Sequence, residues 1–450
     1  MPRQLAWELL RSASPAPLRD LEAGADAAGL DARDRAFARR LVGTEVRRRG
    51  TLRALMRHFA RGKPSRDLTL HLHLGLVQAF FMDRVPDHAL VSETARGVHE
   101  TLGPSKVPYA NAVLRAALRA RVEGASGDPC RDLVGRDLHL ADPVFRDPSD
   151  HPLLWAEDAL SMPAAVMKRF TKRFGEREAR ELARLALEEP PLSVRVARGG
   201  RDEAAAELEG AGLHPRPGRH AQILLLPAAE AATLARSAAF AEGRITIQGE
   251  TALRAAEAVA AAAGERVLDL CAAPGGKTAV LAAAGASVAA CDVSADKLDR
   301  LRSTVERLGL ADNVVCGLAA DLERTDFDAV LVDAPCSNTG VLAQRPGARW
   351  RFGPRSKQAL AAVQAELFDT AAGRVRPGGR VVWSTCALDS DENQRAVRAF
   401  LEAHPDWELE EEAEHLPDAA TDQTAGAGPI DGGYFARLRA GPRAGAGANG

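Results

Sequence analysis

The sequence predicts a multidomain protein: an all-α amino-terminal part, a small α+β subdomain, and an α/β domain on a parallel sheet. Three observations carry this. Apolar positions recur at helical spacing through residues 1–121, short apolar runs alternate with helical stretches after Gly243, and the charge changes sign along the chain. With 450 residues there is material for two or three cores, and 46% apolar with 27% charged residues is ordinary globular composition.

In residues 1–121, Leu41, Val42 and Val46, then Leu52, Leu55, Met56 and Phe59, mark one helical face, and Leu72, Leu76, Val77 and Phe80 another. Gly62-Lys63-Pro64 and Val85-Pro86 break the pattern. Residues 122–159, with Gly124 to Pro129, Asp142-Pro143 and Asp147-Pro148, show little periodicity and read as a linker ordered by packing. In residues 160–240 a helix is expected from about Met167 to Leu187. A strand at Leu192 to Val196, a helix at Ala204 to Leu208 and a strand at Ile223 to Leu226 follow. From 241 to 440 the expected strands are Val267 to Leu270, Val288 to Cys291, Val314 to Cys316, Ala329 to Val332 and Arg380 to Trp383. Their alternation with helices indicates parallel pairing through crossovers. The alanine- and glycine-rich tail, 441–450, is expected to be disordered.

The net charge of -2 hides an asymmetry. Residues 1–121 hold 21 Lys/Arg against 12 Asp/Glu, and the remainder 38 against 49, so +9 faces -11. A basic module on an acidic body suits a polyanionic partner. With aromatic content of 4%, base stacking on broad aromatic platforms is not expected. Six cysteines without a Cys-x-x-Cys pair or a His cluster argue against a disulfide framework and against a metal site. The start, Met1-Pro2-Arg3-Gln4-Leu5, lacks a signal-peptide core and no segment has membrane-span length, so a cytoplasmic protein is expected.

The expected strand Val267 to Leu270 runs into Asp269-Leu270-Cys271-Ala272-Ala273-Pro274-Gly275-Gly276-Lys277-Thr278. Small residues allow close backbone approach to a ligand, and the following helix presents free N–H groups. A nucleoside triphosphate loop would need glycine at position 271, which is Cys271, and a dinucleotide fingerprint is absent. S-adenosylmethionine, with no phosphate to cradle, remains. Asp292, ending the second strand, is placed for ribose hydroxyls, and Asp321, after the third, for adenine.

Two thiols end two further strands, Cys336 in Asp333-Ala334-Pro335-Cys336-Ser337 and Cys386 in Ser384-Thr385-Cys386. Ligands bind at the carboxyl edge of a parallel sheet, and a thiolate is a strong nucleophile near neutral pH. These motifs, with Gln248-Gly249-Glu250 and Asp431-Gly432-Gly433-Tyr434-Phe435, resemble the S-adenosylmethionine-dependent RNA (cytosine, carbon 5) methyltransferases over about residues 151–440. Asp83-Arg84-Val85-Pro86 and Tyr109-Ala110-Asn111-Ala112-Val113-Leu114-Arg115 resemble a NusB-like RNA-binding domain, an arrangement similar to the bacterial RsmB/Sun group acting on 16S rRNA. The resemblance implies a class I, Rossmann-like catalytic domain. It also implies 16S rRNA as partner; because the cytosine must leave any stacked helix to be reached, a single-stranded or loop region is expected, and the protein is expected to be a monomer. A tRNA methyltransferase and an idle rRNA-binding assembly factor are the alternatives.

Within that resemblance Cys386 is the nucleophile and Cys336 the residue that releases the adduct. Asp333 would bond the cytosine edge, and Lys277 would lower a cysteine's pKa or polarise the base. Arg349, Trp350 and Arg351 are expected to touch the RNA backbone or stack on a base. Three residues depart from the family pattern: Asn338 replaces glycine or alanine, Gly249 an acid, and Ala197 an asparagine.

Overall fold

The computed structural model describes residues 1–14, 16–418 and 431–442. It contains two compact units: Met1–Glu188 with Arg349–Arg351, and Glu189–Ala348 with Phe352–Gly450. Of the expected tail, 443–450 lies outside the described residues. Among the described residues no helix is long and apolar enough to cross a membrane.

The first unit is helical: α1 (Pro2–Arg11), α2 (Pro17–Ala27), α3 (Ala32–Phe59), α4 (Arg66–Phe81), α5 (Asp87–Leu102) and α6 (Val107–Arg119), then α7 (Pro152–Ala159), α8 (Ala164–Phe174) and α9 (Glu176–Leu185). The two expected breaks separate α3 from α4 and α4 from α5. Asp31 caps α3 by accepting the Asp34 N–H at 2.8 Å, and Ser65 caps α4 through Leu68 N–H at 3.3 Å. Leu41, Leu52, Leu55, Leu72 and Leu76 are wholly buried, so the helical spacing marks the core as expected. Between α6 and α7 a short antiparallel pair forms, β1 (Arg121–Glu123) with β2 (Leu138–Leu140), and Leu133, Leu140 and Phe145 enter the helical core. The single helix expected from Met167 to Leu187 is two, divided at Gly175 with φ 83°.

The second unit opens with a four-stranded antiparallel sheet, β3 (Leu192–Val196), β4 (Arg216–Pro217), β5 (Ile223–Leu226) and β6 (Ile245–Ile247), in the order β4-β5-β3-β6. Between its strands lie α10 (Arg201–Gly210), α11 (Ala231–Leu234) and α12 (Ala238–Ala241). Then come α13 (Glu250–Glu257), β7 (Arg266–Asp269), α14 (Gly276–Ala283), β8 (Ser287–Asp292), α15 (Ala295–Arg307), β9 (Val314–Leu318), β10 (Phe327–Asp333), α16 (Pro354–Arg374), β11 (Val375–Thr385), α17 (Gln394–Ala403), β12 (Trp407–His415) and β13 (Gly433–Ala440).

The seven strands from β7 onward form one sheet, ordered β12-β13-β11-β10-β7-β8-β9. All five strands expected from the sequence are present and parallel, but the sheet is mixed, because β13 pairs antiparallel with both β11 and β12. Strand β12, Trp-Glu-Leu-Glu-Glu-Glu-Ala-Glu-His, lacks the apolar content of a buried strand. As an edge strand it needs little: Glu410 and Glu411 pair with Arg437 of β13 at 3.0 and 3.1 Å. The strand order reverses between β7 and β10, and the crevice outside their carboxyl ends is where such sheets bind ligands.

Candidate active site

The loop after β7 is built for close approach. Gly275 sits at φ 103°, and a Cβ there would meet Leu301 Cδ1 at 2.8 Å, so only glycine turns this corner. Asp292, at the end of β8, accepts the Ala273 N–H at 3.1 Å and the Lys297 ammonium at 2.9 Å. Ala272 is buried and Cys271 half-buried, and burial, reinforced by Asp269, pushes the Cys271 thiol up to about 12. Asp321 lies in a 3-10 turn just after β9, exposed. A glycine-cornered loop with small side chains, bordered by a buried carboxylate one strand away, fits S-adenosylmethionine.

Strands β10 and β11 run parallel with Asp333 opposite Ser384, so both cysteine loops leave the same edge of the sheet side by side. The two sulfur atoms lie 3.2 Å apart. The bond between them splits their acidities: the Cys336 S–H donor lowers Cys386, while the same bond, with burial, raises Cys336 well above an ordinary thiol. The loops are locked together by Gly340, whose N–H donates to Cys386 O at 2.9 Å and whose carbonyl accepts the Gly432 N–H at 2.7 Å. A Cβ at 340 would stand 2.5 Å from Gly432 O.

Lys277, on the first turn of α14, does not face solvent; its Nζ lies 2.7 Å from Asp333 Oδ2. Burial opposes its charge, but Asp333 outweighs that and holds the ammonium above its usual range. Beneath this pair Asp269 is wholly buried, accepting the Thr278 hydroxyl at 2.8 Å, and burial pushes its carboxyl up to about 7.

Sequence reasoning passed over two residues here. Glu392 accepts the Ser337 N–H at 2.8 Å and the Gln364 amide at 3.1 Å, and so fixes the Cys336 loop; burial raises its carboxyl. Asn393 accepts the Thr385 hydroxyl at 2.6 Å and donates to Ala387 O at 2.9 Å, bracing the Cys386 loop. The only signal was a polar run, Asp389 to Asn393, ahead of an amphipathic helix, which reads as an ordinary loop. The aromatic stack of Trp383 on Phe368, 4.0 Å between centroids, supports β11 from behind.

The expected RNA contacts at Arg349 and Trp350 are corrected. Arg349 is wholly buried in the first unit and donates to Ala186 O at 2.7 Å and Ser161 O at 3.3 Å. Trp350 donates to Val46 O at 2.7 Å with Arg53 over its ring. A guanidinium or indole so occupied serves packing, since a buried donor must be satisfied. Gly249 is also explained: a Cβ there would collide with Asp431 Oδ2, so Asp431 places its carboxylate where the missing acidic side chain would begin. Asp431 Oδ1 accepts the Thr251 hydroxyl at 3.1 Å, at the start of α13. Among the described residues no group of three or more His, Cys, Asp or Glu could hold a metal ion.

A doubly wound sheet, a glycine-cornered loop at its switch point and an acidic residue ending the next strand define a class I S-adenosylmethionine-dependent methyltransferase. Residues 256–438 match the family model described as 16S rRNA methyltransferase RsmB/F, and residues 2–119 match the NusB family. The ribosomal RNA small subunit methyltransferase B of Salmonella arizonae is 33% identical over 387 residues, covering 82% of each chain. That of Vibrio cholerae is 32% identical over 360 residues, covering 77% of each. The chain therefore belongs to the RsmB/F family of S-adenosylmethionine-dependent rRNA methyltransferases. Its fold is also that of the solved protein PH0851, at TM-score 0.74 and 22% identity over 97% of this chain and 98% of that one. A methyltransferase homologue from Pyrococcus horikoshii gives 0.53 at 24% identity over 66% and 100%.

Proposed function

We propose that the enzyme methylates carbon 5 of a cytosine in 16S rRNA through a covalent adduct between Cys386 and carbon 6. The observation that carries this reading is the pair of sulfur atoms 3.2 Å apart at adjacent strand ends. Carbon 5 of cytosine is a poor nucleophile until the ring's conjugation is broken. The Cys386 thiolate adds its electron pair to carbon 6, and the displaced ring electrons make carbon 5 electron-rich. When bound, S-adenosylmethionine supplies the electrophilic methyl group. A base then takes the proton from carbon 5, the carbon–sulfur bond breaks, and Cys386 leaves as thiolate.

Cys336 is suited to the release step because its hydrogen bond to Cys386 and its burial raise its pKa, so it enters the reaction as the protonated thiol. Asp333, anchored by Lys277, is positioned to accept from the cytosine amino edge, and the Lys277 charge also favours the Cys386 thiolate. Cys271, Ala272, Ala273, Pro274, Gly275 and Gly276 would line the methionine end of the cofactor. Asp292 would hold the ribose and Asp321 the adenine. The target cytosine must be unstacked to reach the thiols, which favours single-stranded or loop RNA as substrate.

Cys386→Ala is expected to abolish methyl transfer while cofactor binding survives. Cys336→Ala is expected to accumulate a denaturation-resistant RNA–protein adduct, seen as a gel shift. An adduct in Cys386→Ala and none in Cys336→Ala would reverse the assignment. Bisulfite sequencing of rRNA and tRNA with and without the enzyme identifies the substrate class.

A further inference from the structure

We propose that Asn338, held by Arg345, is a positioning residue that keeps the Cys386 thiol protonated and aimed in the resting enzyme. Asn338 adopts φ 59°, a left-handed conformation that asparagine tolerates better than most side chains. That turn folds its amide back over its own loop. Nδ2 donates to Cys336 O at 2.7 Å, while Oδ1 accepts Arg345 Nη1 at 2.7 Å and the Cys386 thiol at 3.3 Å.

The amide cannot be reversed without opposing donor to donor at Arg345 and acceptor to acceptor at Cys336 O, so an oxygen faces Cys386. A thiol has one proton. With that proton directed to Asn338, the Cys386 sulfur is left to accept from Cys336. The chain of donors therefore has a direction: Cys336 to Cys386 to Asn338, with Arg345 closing it from the other side.

A hydrogen bond made to the neutral thiol disfavours its ionisation, whereas the nearby Arg345 charge favours it. Two residues in direct contact thus act on one thiol in opposite senses. Simple scaffolding of the loop would not produce that signature. For its catalytic meaning the proposal rests on Cys386 being the attacking thiol. The titration itself needs neither RNA nor cofactor, so the two ideas fail separately.

The test is the pH dependence of Cys386 alkylation by iodoacetamide in the full chain, resolved from Cys336 by peptide mass spectrometry, from about pH 5 to about pH 10. Asn338→Gly, which accepts positive φ freely, is expected to lower the midpoint by about half a unit or more, the weight of one lost hydrogen bond. Asn338→Asp, which keeps the size and tolerates the backbone, is expected to raise it, because a carboxylate faces the developing thiolate. Arg345→Gln is expected to raise it as well. A midpoint at or above wild type in Asn338→Gly, or at or below it in Asn338→Asp or Arg345→Gln, overturns the proposal. An active Cys386→Ala enzyme would remove the catalytic reading while leaving the titration result standing.

Discussion

Asp269 shows how a single buried carboxyl ties cofactor-loop geometry to pH. It closes β7, accepts the Thr278 hydroxyl, and burial has moved its proton affinity up to about 7, with Asp333 adding to the rise. A carboxyl with a raised folded-state pKa binds its proton more tightly folded than unfolded. Its stabilising contribution is complete below about pH 4 and is lost as pH rises through about 7. Asp269→Asn keeps an oxygen for Thr278 and cannot ionise. Thermal melts from about pH 5 to about pH 8 should therefore show the variant gaining on wild type, by on the order of 2–4 kcal/mol at the upper end. Parallel melting curves across that range would rule this out. At this scale the sequence was legible where chemistry advertises itself: Lys277, Asp333, Cys336 and Cys386 do converge. It was opaque where a residue acts by burial. Nothing local distinguishes Glu392 from a surface acid, and Arg349 and Trp350 looked like nucleic-acid contacts because basic and aromatic residues serve packing equally well once their donors are met.

The two cysteine loops work as one element because backbone touches backbone at Gly340. A Cβ there would lie 2.5 Å from Gly432 O and 2.9 Å from Cys386 O, both atoms of the main chain that cannot swing aside. Gly340→Ala should cost about 1–3 kcal/mol of stability and part the two loops. Because displacement of a reacting group by an ångström can slow a reaction by about two orders of magnitude, methyl transfer should fall on the order of 100-fold. Cofactor affinity should change little, since the glycine-cornered loop lies on a different strand end. Titration calorimetry beside a turnover assay separates these outcomes, and equal losses in both would show that the change is global. Elements with a clear period were readable: the five parallel strands and the buried faces of α3 and α4 lie where the spacing put them. Strand β12 was not, since its identity comes from pairing across to β13 and from the Glu410–Arg437 contact rather than from its own composition. The division at Gly175 was missed for a related reason: one left-handed glycine interrupts an apolar period that otherwise continues.

Over the whole molecule, charge and fold divide together, but the compact unit is longer than the basic stretch. Residues 1–121 carry the positive excess, whereas the helical unit runs to Glu188 and includes Arg349–Arg351. Cutting after residue 121 would strip Leu133, Leu140 and Phe145 of their core, so loss of RNA binding in such a truncation would carry no information about charge. Surface substitution is the cleaner probe. Tyr109 donates to Arg61 O at 2.9 Å, which brings the loop holding Arg61 and Lys63 against the start of α6, where Lys106 is also exposed. The Arg61→Glu, Lys63→Glu, Lys106→Glu triple variant should bind rRNA fragments more weakly, uniformly across sequences, because phosphate contacts position without reading bases. If each of the three neutralises one phosphate of single-stranded RNA, the slope of log affinity against log salt should flatten by about two, at roughly 0.7 per contact. S-adenosylmethionine affinity and the alkylation midpoint of Cys386 should stay at wild-type values, since neither depends on the helical unit's surface. A salt slope unchanged in the triple variant would show that these three cations belong to a solvated face and make no phosphate contact.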